Sequence, residues 1–273
     1  ALIILVFFCV YVGSCFVTCG KLFNTLFGLD YLTMMCLGAI IVFLYTLVGG
    51  YLSVVATDFV QGCLMFFALI VVLIGSITMA GGVDNVVTFL NGIPGFLSGV
   101  QIAVPVVGED GFQIMNDDAP LFDVPAEYGL LSIISMMAWG LGYFGMPQVL
   151  VRFMGIRSAK EIRQSRIIAV TWVVVSLFSA ICIGLVGRAA IPTMFATNSA
   201  AENVFIVLSQ IMLPSFMCGV VVSGILAASM SSSSSYLLIA GSSVAENIFR
   251  GVIKKDATDA QVAIERAAQG HVQ

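Results

Sequence analysis

Charge is scarce in this sequence. Only 10% of its 273 residues are Asp, Glu, Lys or Arg, where a soluble domain carries about 25%. With 60% hydrophobic residues and a mean hydropathy of +1.08, the chain cannot clothe a water-facing surface, so lipid must cover much of it. Basic residues are the minority charge, 11 against 15 acidic, for a net charge of −4. No basic domain is present, which excludes nucleic-acid binding as a main role. Histidine occurs once, at His271 in a polar tail. No base therefore partners any serine, and nucleophilic catalysis lacks an activated nucleophile; the protein is not expected to be an enzyme. The seven cysteines (Cys9, Cys15, Cys19, Cys36, Cys63, Cys182, Cys218) sit in apolar stretches without metal-ligand spacing, and their number is odd. That pattern argues against a disulfide framework and predicts small buried apolar residues. The first residues, ALIILVFFCVYVGSCFVTCG, are apolar with neither an initiator methionine nor a basic region ahead of them. They do not read as a signal peptide, and the expectation is a piece of a longer protein, cut at its N-terminal end and at its C-terminal end too.

What remains is a set of long apolar runs. A helix needs about 20 apolar residues to cross a bilayer. Six segments qualify, roughly 1–20, 32–50, 55–79, 129–151, 167–187 and 214–247, which predicts an all-α polytopic membrane protein. The last is long enough to tilt or to extend beyond the hydrocarbon. Lysine and arginine gather on the cytoplasmic side of membrane proteins. Arg152, Arg157, Lys160, Arg163 and Arg166 follow the fourth span, and Arg250, Lys254, Lys255 and Arg266 follow the sixth. Alternating six spans puts both clusters on one face, so 152–166 is expected to be a cytoplasmic basic loop and 248–273 a cytoplasmic polar segment. The opposite face holds only Lys21 and Arg188. There, the 80–128 connection has no basic residue but carries Asp84, Glu109, Asp110, Asp117, Asp118, Asp123 and Glu127, as a solvated external loop would. Within it, NVVTFL reads as a short amphipathic helix and GIPGF as a turn. Residues 201–212 read as another short interfacial helix.

Three places break the pattern of plain lipid-soluble helix. Asp58, in YTLVGGYLSVVATDFVQ, lies near the cytoplasmic end of the third span. A carboxylate at a helix centre in the membrane costs about 2.5–3.5 kcal/mol, less near an end. Two readings stand: a charge favoured by the dipole of a first helical turn, or a group that meets a cation. The fourth span, WGLGYFGMPQVLVRFM, places Gly140, Gly142, Gly145 and Pro147 within eight residues. Glycine favours a bend, and proline removes a donor and clashes with the preceding turn. Such breaks mark substrate sites in transporters, and Trp139 and Tyr143 share one face beside this one. A kinked packing helix is the other reading. The third place is GILAASMSSSSSYLLIAGSSVAEN, a serine run in which Ala228, Ser231 and Ser232 share a face at i, i+3, i+4 spacing. Hydroxyl and carbonyl oxygens suit hard cations, yet small residues also serve close helix packing and serine bonds back to its own helix.

At these three places the sequence resembles the sodium:solute symporter family, and within it the sodium/proline symporters most. The similarity runs from Ala1 to about Asp259. The WGLGYFG-x-P-x-x-L-x-RFM string is specific to the proline branch, while the serine run is typical of the wider family. The resemblance implies the leucine-transporter-type fold of two inverted five-helix repeats, with the six spans as core helices three to eight. The first core helix, which supplies backbone ligands to sodium and substrate, is then absent, and this chain alone would not transport. Carried over position by position, Ser231 and Ser232 match the paired hydroxyl ligands of a sodium site and Ala228 its carbonyl ligand. Tyr11, in CVYVGS, matches a substrate-site tyrosine. Trp139, Tyr143 and Pro147 match the proline-site residues of the broken helix, and Asp58 the aspartate implicated in sodium passage toward the cytoplasm. Met146 and Gln148 stand where the best-known proline symporters have glutamine and histidine, and the second serine stands where some members have threonine. The implied activity is sodium-coupled symport of a small organic solute, L-proline or a similar amino acid, in the lipid bilayer of a bacterial inner or plasma membrane, with sodium as the coupling ion. Two alternatives share these features: the symporter-like sensor domain of a bacterial signalling kinase, and a symporter of another small solute.

The alternation of basic and acidic connections makes a direct prediction. Cysteines placed at Ser158 and Ser199 in a full-length protein label from opposite sides of the membrane. An impermeant external reagent that labels position 158 in intact cells would overturn the orientation.

Overall fold

In hydrocarbon no water satisfies a backbone amide, so apolar segments of this length fold as helices that hydrogen-bond internally. The computed structural model describes residues 1–116, 119–194 and 197–253. Asp117, Asp118, Lys254, Lys255, Arg266 and His271, noted above, lie outside the described residues. Among those described, five helices are long and apolar enough to cross a membrane: Leu2–Phe27, Tyr31–Met79, Leu130–Met154, Ala159–Ala190 and Ser215–Ile253. The chain is mostly helical and polytopic.

Five segments replace the expected six because two of the expected spans join in one element. Helix α1 is Leu2–Phe27 and α2 is Tyr31–Met79, but α2 is broken at Gly50, whose φ of 57° and ψ of −161° are non-helical. The two arms, α2a (31–49) and α2b (51–79), correspond to the expected spans 32–50 and 55–79. A straight helix would set Tyr45 and Gln61 about 24 Å apart, yet their side chains lie within hydrogen-bonding reach. The arms therefore turn back on one another at Gly50.

The chain divides into two units, each described by itself. The first comprises Ala1–Met65 and the chain from Ser223 onward. Here α1 ends on Gly28 in the left-handed conformation, with its amide on the Asn24 carbonyl at 2.9 Å. Asp30 then starts α2. Its Oδ2 accepts from the Thr33 hydroxyl at 2.7 Å and from the Thr33 amide at 2.8 Å, a side-chain cap of the usual kind. Those bonds hold the exposed Asp30 carboxyl below the usual carboxylate range, so the cap is present above that range and lost as pH falls through the lowered value. The close approach of α1 to α2a depends on Gly20, where a Cβ would meet the Tyr31 ring at 2.8 Å.

The second unit is Phe66–Val222. Its elements are α2b from Phe66, α3 (Val83–Asn91), α4 (Leu130–Gly142), α5 (Pro147–Met154), α6 (Ala159–Ala190), α7 (Asn198–Ala201), α8 (Val204–Met212) and the start of α9 (Ser215–Ser242). One core gathers Ala68, Val72, Ile183, Leu208 and Val221 from α2b, α6, α8 and α9. A second packs Val86, Leu90 and Ile93 against Val186 of α6. The expected short helix at NVVTFL falls within α3, and of the one expected over 201–212 the residues from Val204 form α8, after a turn that follows α7.

Four features depart from the sequence reading. The 80–128 connection, read without strands, holds β1 (Gln101–Ile102) paired antiparallel with β4 (Ala126–Glu127), and β2 (Met115–Asn116) with β3 (Ala119–Pro120). Pairs of two residues leave no periodic signal. The 152–166 stretch is not all loop, because Arg152 lies in the last turn of α5 and Lys160, Arg163 and Arg166 lie in α6. Ser158 caps α6 by accepting from the Glu161 amide at 3.4 Å, so the helix starts eight residues before the apolar run does. The last span continues from α9 into a π-helical stretch, Ser243–Ile253, where Glu246 and Arg250 pair at 3.7 Å. The cysteines are free, as expected, but only Cys19 is buried; Cys9, Cys36 and Cys63 are exposed. In a membrane protein apolar side chains face outward at no cost.

Gly50 carries the sharpest of these backbone demands. Its φ and ψ fall where residues with a Cβ are strained, at a cost of about 1–3 kcal/mol. Gly50→Ala is expected to lower the thermal midpoint of the detergent-solubilised protein. Gly62→Ala, at a helical glycine with open space around it, is expected to leave that midpoint unchanged or slightly raised. Equal midpoints for both variants would show that the turn does not depend on glycine.

Candidate functional site

Each polar side chain buried in an apolar environment needs a hydrogen-bond partner, and α9 shows where these partners come from. Along the serine run, Ser231 Oγ donates to the Ala228 carbonyl at 3.2 Å. Ser233 Oγ donates to the Ser229 carbonyl at 2.6 Å, and Ser234 Oγ to the Ser231 carbonyl at 3.1 Å. The Met230 carbonyl receives its hydroxyl from elsewhere, from Tyr45 of α2a at 3.0 Å. Four consecutive carbonyls thus each accept a side-chain hydroxyl. Ser233, Ser234 and Ser235 are buried, while Ala228, Ser231 and Ser232 are half-buried and form the more open face of this turn.

One turn beyond Ser231, Ser235 Oγ donates to Asp58 Oδ2 at 3.3 Å. Asp58 sits in α2b eight residues past Gly50, beyond the first turn of that arm, so the dipole of a first turn is not its setting. Ser234, Asp58, Gln61 and Thr46 gather around the Tyr45 side chain. The Oγ1 of Thr46, which is 2% exposed, and the Oε1 of Gln61 have no hydrogen-bond partner among the described residues. The Tyr236 ring packs against Phe8 at 5.2 Å and Tyr11 at 5.3 Å between centroids. Within the first unit, Ser231 thus meets Ala228, while Asp58 and Tyr11 meet α9 about one turn further on, at Ser235 and Tyr236. The donor set along α9 is hydroxyl, carbonyl and carboxylate oxygen, which is the chemistry hard cations prefer.

The aromatic residues singled out in the fourth span lie in the second unit. Helix α4 stops at Gly142, Tyr143–Gly145 form a 3₁₀ turn, and Met146 is extended at φ −71° and ψ 118°. Pro147 explains the stop: it pushes the preceding residue out of helical conformation and itself suits the first position of the next helix, which is α5. Trp139 and Tyr143 flank the break and are 64% and 57% exposed. A Cβ on Gly140, Gly142 or Gly145 would meet nothing within 4 Å, so the break faces open space. Gln148 Nε2 donates to Met146 Sδ at 3.5 Å, and its Oε1 is buried without a partner among the described residues.

Two groups of residues escaped the sequence reading. Tyr45 and Ser235 act through contacts 185 and 177 residues away in sequence, and only the fold-back at Gly49–Gly50 hints that Tyr45 and Asp58 face each other. In the second unit, Arg188 at the end of α6 donates to Gln113 Oε1 and lies 5.5 Å from the Phe122 ring centre. Gln113 Nε2 in turn donates to the Leu121 carbonyl at 3.0 Å. These residues line a cavity of about 520 Å³ together with Phe96, Pro105 and Val204. It tethers the acidic connection to α6 and contains none of the residues singled out from the sequence.

The family model for the sodium:solute symporter family matches residues 1–268. The osmoregulated proline transporter OpuE of Bacillus subtilis is 36% identical over 264 residues, which cover 97% of this chain and 49% of that protein. The high-affinity proline transporter PutP of the same organism is 38% identical, over 96% of this chain and 50% of its own length. Sodium/proline symporter 2 of Staphylococcus saprophyticus is 39% identical, over 93% and 45%. The chain spans about half the length of the curated relatives it matches. With apolar helices fit to span a bilayer and a match over nearly its whole length, the chain is a multi-pass membrane protein that belongs to the sodium:solute symporter family.

Proposed function

We propose that this chain supplies part of the sodium site and one wall of the solute pocket of a sodium-coupled symporter, with L-proline as the solute. The observation that carries this reading is the oxygen-lined turn of α9, where the Ala228 carbonyl and the Ser231 hydroxyl stand 3.2 Å apart beside Ser232. The relatives named as proline transporters support the choice of solute. On this reading the fold is the leucine-transporter type, α1, the two arms of α2, α4–α5, α6 and α9 being core helices three to eight. The 80–128 connection is external, and the 152–166 and 248–273 stretches are cytoplasmic.

Sodium bound at Ala228, Ser231 and Ser232 displaces the Ser231–Ala228 hydrogen bond and steadies an outward-open state. Proline then enters beside the helix break, with Trp139 and Tyr143 as apolar walls and Pro147 setting the bend. Each ligand favours the same conformations, which is a reciprocal coupling of binding free energies. The membrane potential adds about 2.3 kcal/mol per charge per 100 mV. On the cytoplasmic side the ion meets Asp58, which Ser235 links to the same helix one turn on.

Two sets of variants test this in the full open reading frame that encodes the sequence. Losing an oxygen ligand costs about what a lost hydrogen bond to a charge does, roughly 1.5–3 kcal/mol. Ser231→Ala and Ser232→Ala are therefore expected to raise the sodium concentration for half-maximal uptake about ten- to a hundredfold, at near-normal expression. Cysteine is expected to rescue poorly, sulfur being the softer ligand. Unchanged sodium dependence in both alanine variants would reduce the serine run to helix packing. Trp139→Ala and Tyr143→Ala are expected to weaken proline uptake more than sodium dependence. Should proline neither drive nor inhibit transport by the unaltered protein, the solute assignment fails.

A further inference from the structure

The carbonyls of residues 228, 229 and 231 receive their hydroxyls from serines of their own helix. The Met230 carbonyl receives one across the unit, from Tyr45 at 3.0 Å. A backbone carbonyl has two lone pairs, and the helical ladder occupies one, so the tyrosine adds a bond without breaking the helix. This difference matters because intrahelical serine bonds move with the helix and cannot fix its position. The Tyr45 bond can, since it spans two elements. It falls on the residue immediately before Ser231, inside the turn that runs from Ala228 to Ser232.

We infer that Tyr45 is a positioning residue for the cation-binding turn of α9: its hydroxyl, on the Met230 carbonyl, sets the rotation and height of the Ala228–Ser232 turn against α2. This rests on the reading of that turn as the sodium site. The tyrosine itself need not touch the ion. Its hydroxyl is placed by the fold-back at Gly50, which brings Asp58 and Gln61 of α2b to the same side as Tyr45. Ser235, held by Asp58 at 3.3 Å, fixes the next turn, so α9 is pinned to both arms of α2 at two successive turns. Two pins on one helix restrict sliding and rotation, where one would leave a pivot. With the hydroxyl absent, the turn is free to rotate about the Ser235 contact, and the Ala228 and Ser231 oxygens no longer converge before the ion arrives. The ordering cost then falls on sodium binding, which appears as lower affinity without a change in the maximal rate.

Tyr45→Phe keeps the ring and removes only the donor. In the full-length protein reconstituted in vesicles, it is expected to raise the sodium concentration for half-maximal proline uptake about three- to tenfold, the span of one neutral hydrogen bond. Maximal uptake and the half-saturating proline concentration, at saturating sodium, are expected to stay within about twofold. The double variant Tyr45→Phe/Ser231→Ala separates positioning from general packing. If the hydroxyl acts through the ligand turn, its effect largely disappears once Ser231 is already gone. Tyr45→Phe with unaltered sodium dependence would overturn the inference, as would an effect that simply adds to that of Ser231→Ala. Should Ser231→Ala and Ser232→Ala themselves leave sodium dependence untouched, the sodium-site reading fails first. Tyr45→Leu, which also removes the ring, reports the packing contribution: a loss of sodium affinity that appears only in the leucine variant would assign Tyr45 to packing and overturn the positioning role.

Discussion

Hydrocarbon offers no hydrogen bonds, and an unsatisfied polar group there costs several kcal/mol. Seven of the nine residues from Ala228 to Tyr236 are serine or tyrosine, so the serine turn of α9 exists only under that constraint. Its solution is for the hydroxyls to donate to carbonyls of the preceding turn, at 3.2, 2.6 and 3.1 Å. These hydroxyls are thereby satisfied. On the proposed reading, a cation that binds at this turn must replace Ser231's bond to Ala228.

Backbone breaks arise from the same balance but by two different means. At Gly50 a single residue takes a conformation open only to glycine, and the two arms of α2 fold back so that their polar side chains meet one another and α9. At Met146 the helix stops because Pro147 forbids helical geometry in the residue before it. The chain then turns through 3₁₀ geometry and restarts. The first break is lined by polar partners from its own unit. The second faces open space, with two large aromatic rings beside it.

The helical spans were legible because hydropathy over about 20 residues reports the bilayer directly. The break at 140–147 was legible because three glycines and a proline act locally. What could not be read is what depends on distant residues: Tyr45 on Met230, Ser235 on Asp58, Arg188 on Gln113. Each joins segments at least 75 residues apart, and no local pattern encodes such a pair. The start of α6 is a different case. Ser158 and Glu161 spell a helix start of the S-x-x-E type, but a reading tuned to apolar length passes over a polar first turn. The two-residue strands of the 101–127 stretch are too short for alternation to register at all.

The pinned turn also bears on how a regular helix can ligate a cation. Carbonyls in an α-helix point along its axis and are taken by the amide four residues on, leaving little for an ion. Serine hydroxyls that bond back to such carbonyls bend the helix slightly and tilt the oxygens outward. Four successive carbonyls, those of residues 228–231, carry an added hydroxyl in one turn. Immediately after the helix, Ser243–Ile253 are π-wound, a form that in short stretches accompanies functional sites. The helix is therefore loosened on one side of Ser235 and over-bonded on the other, and the Asp58 carboxylate holds the residue between.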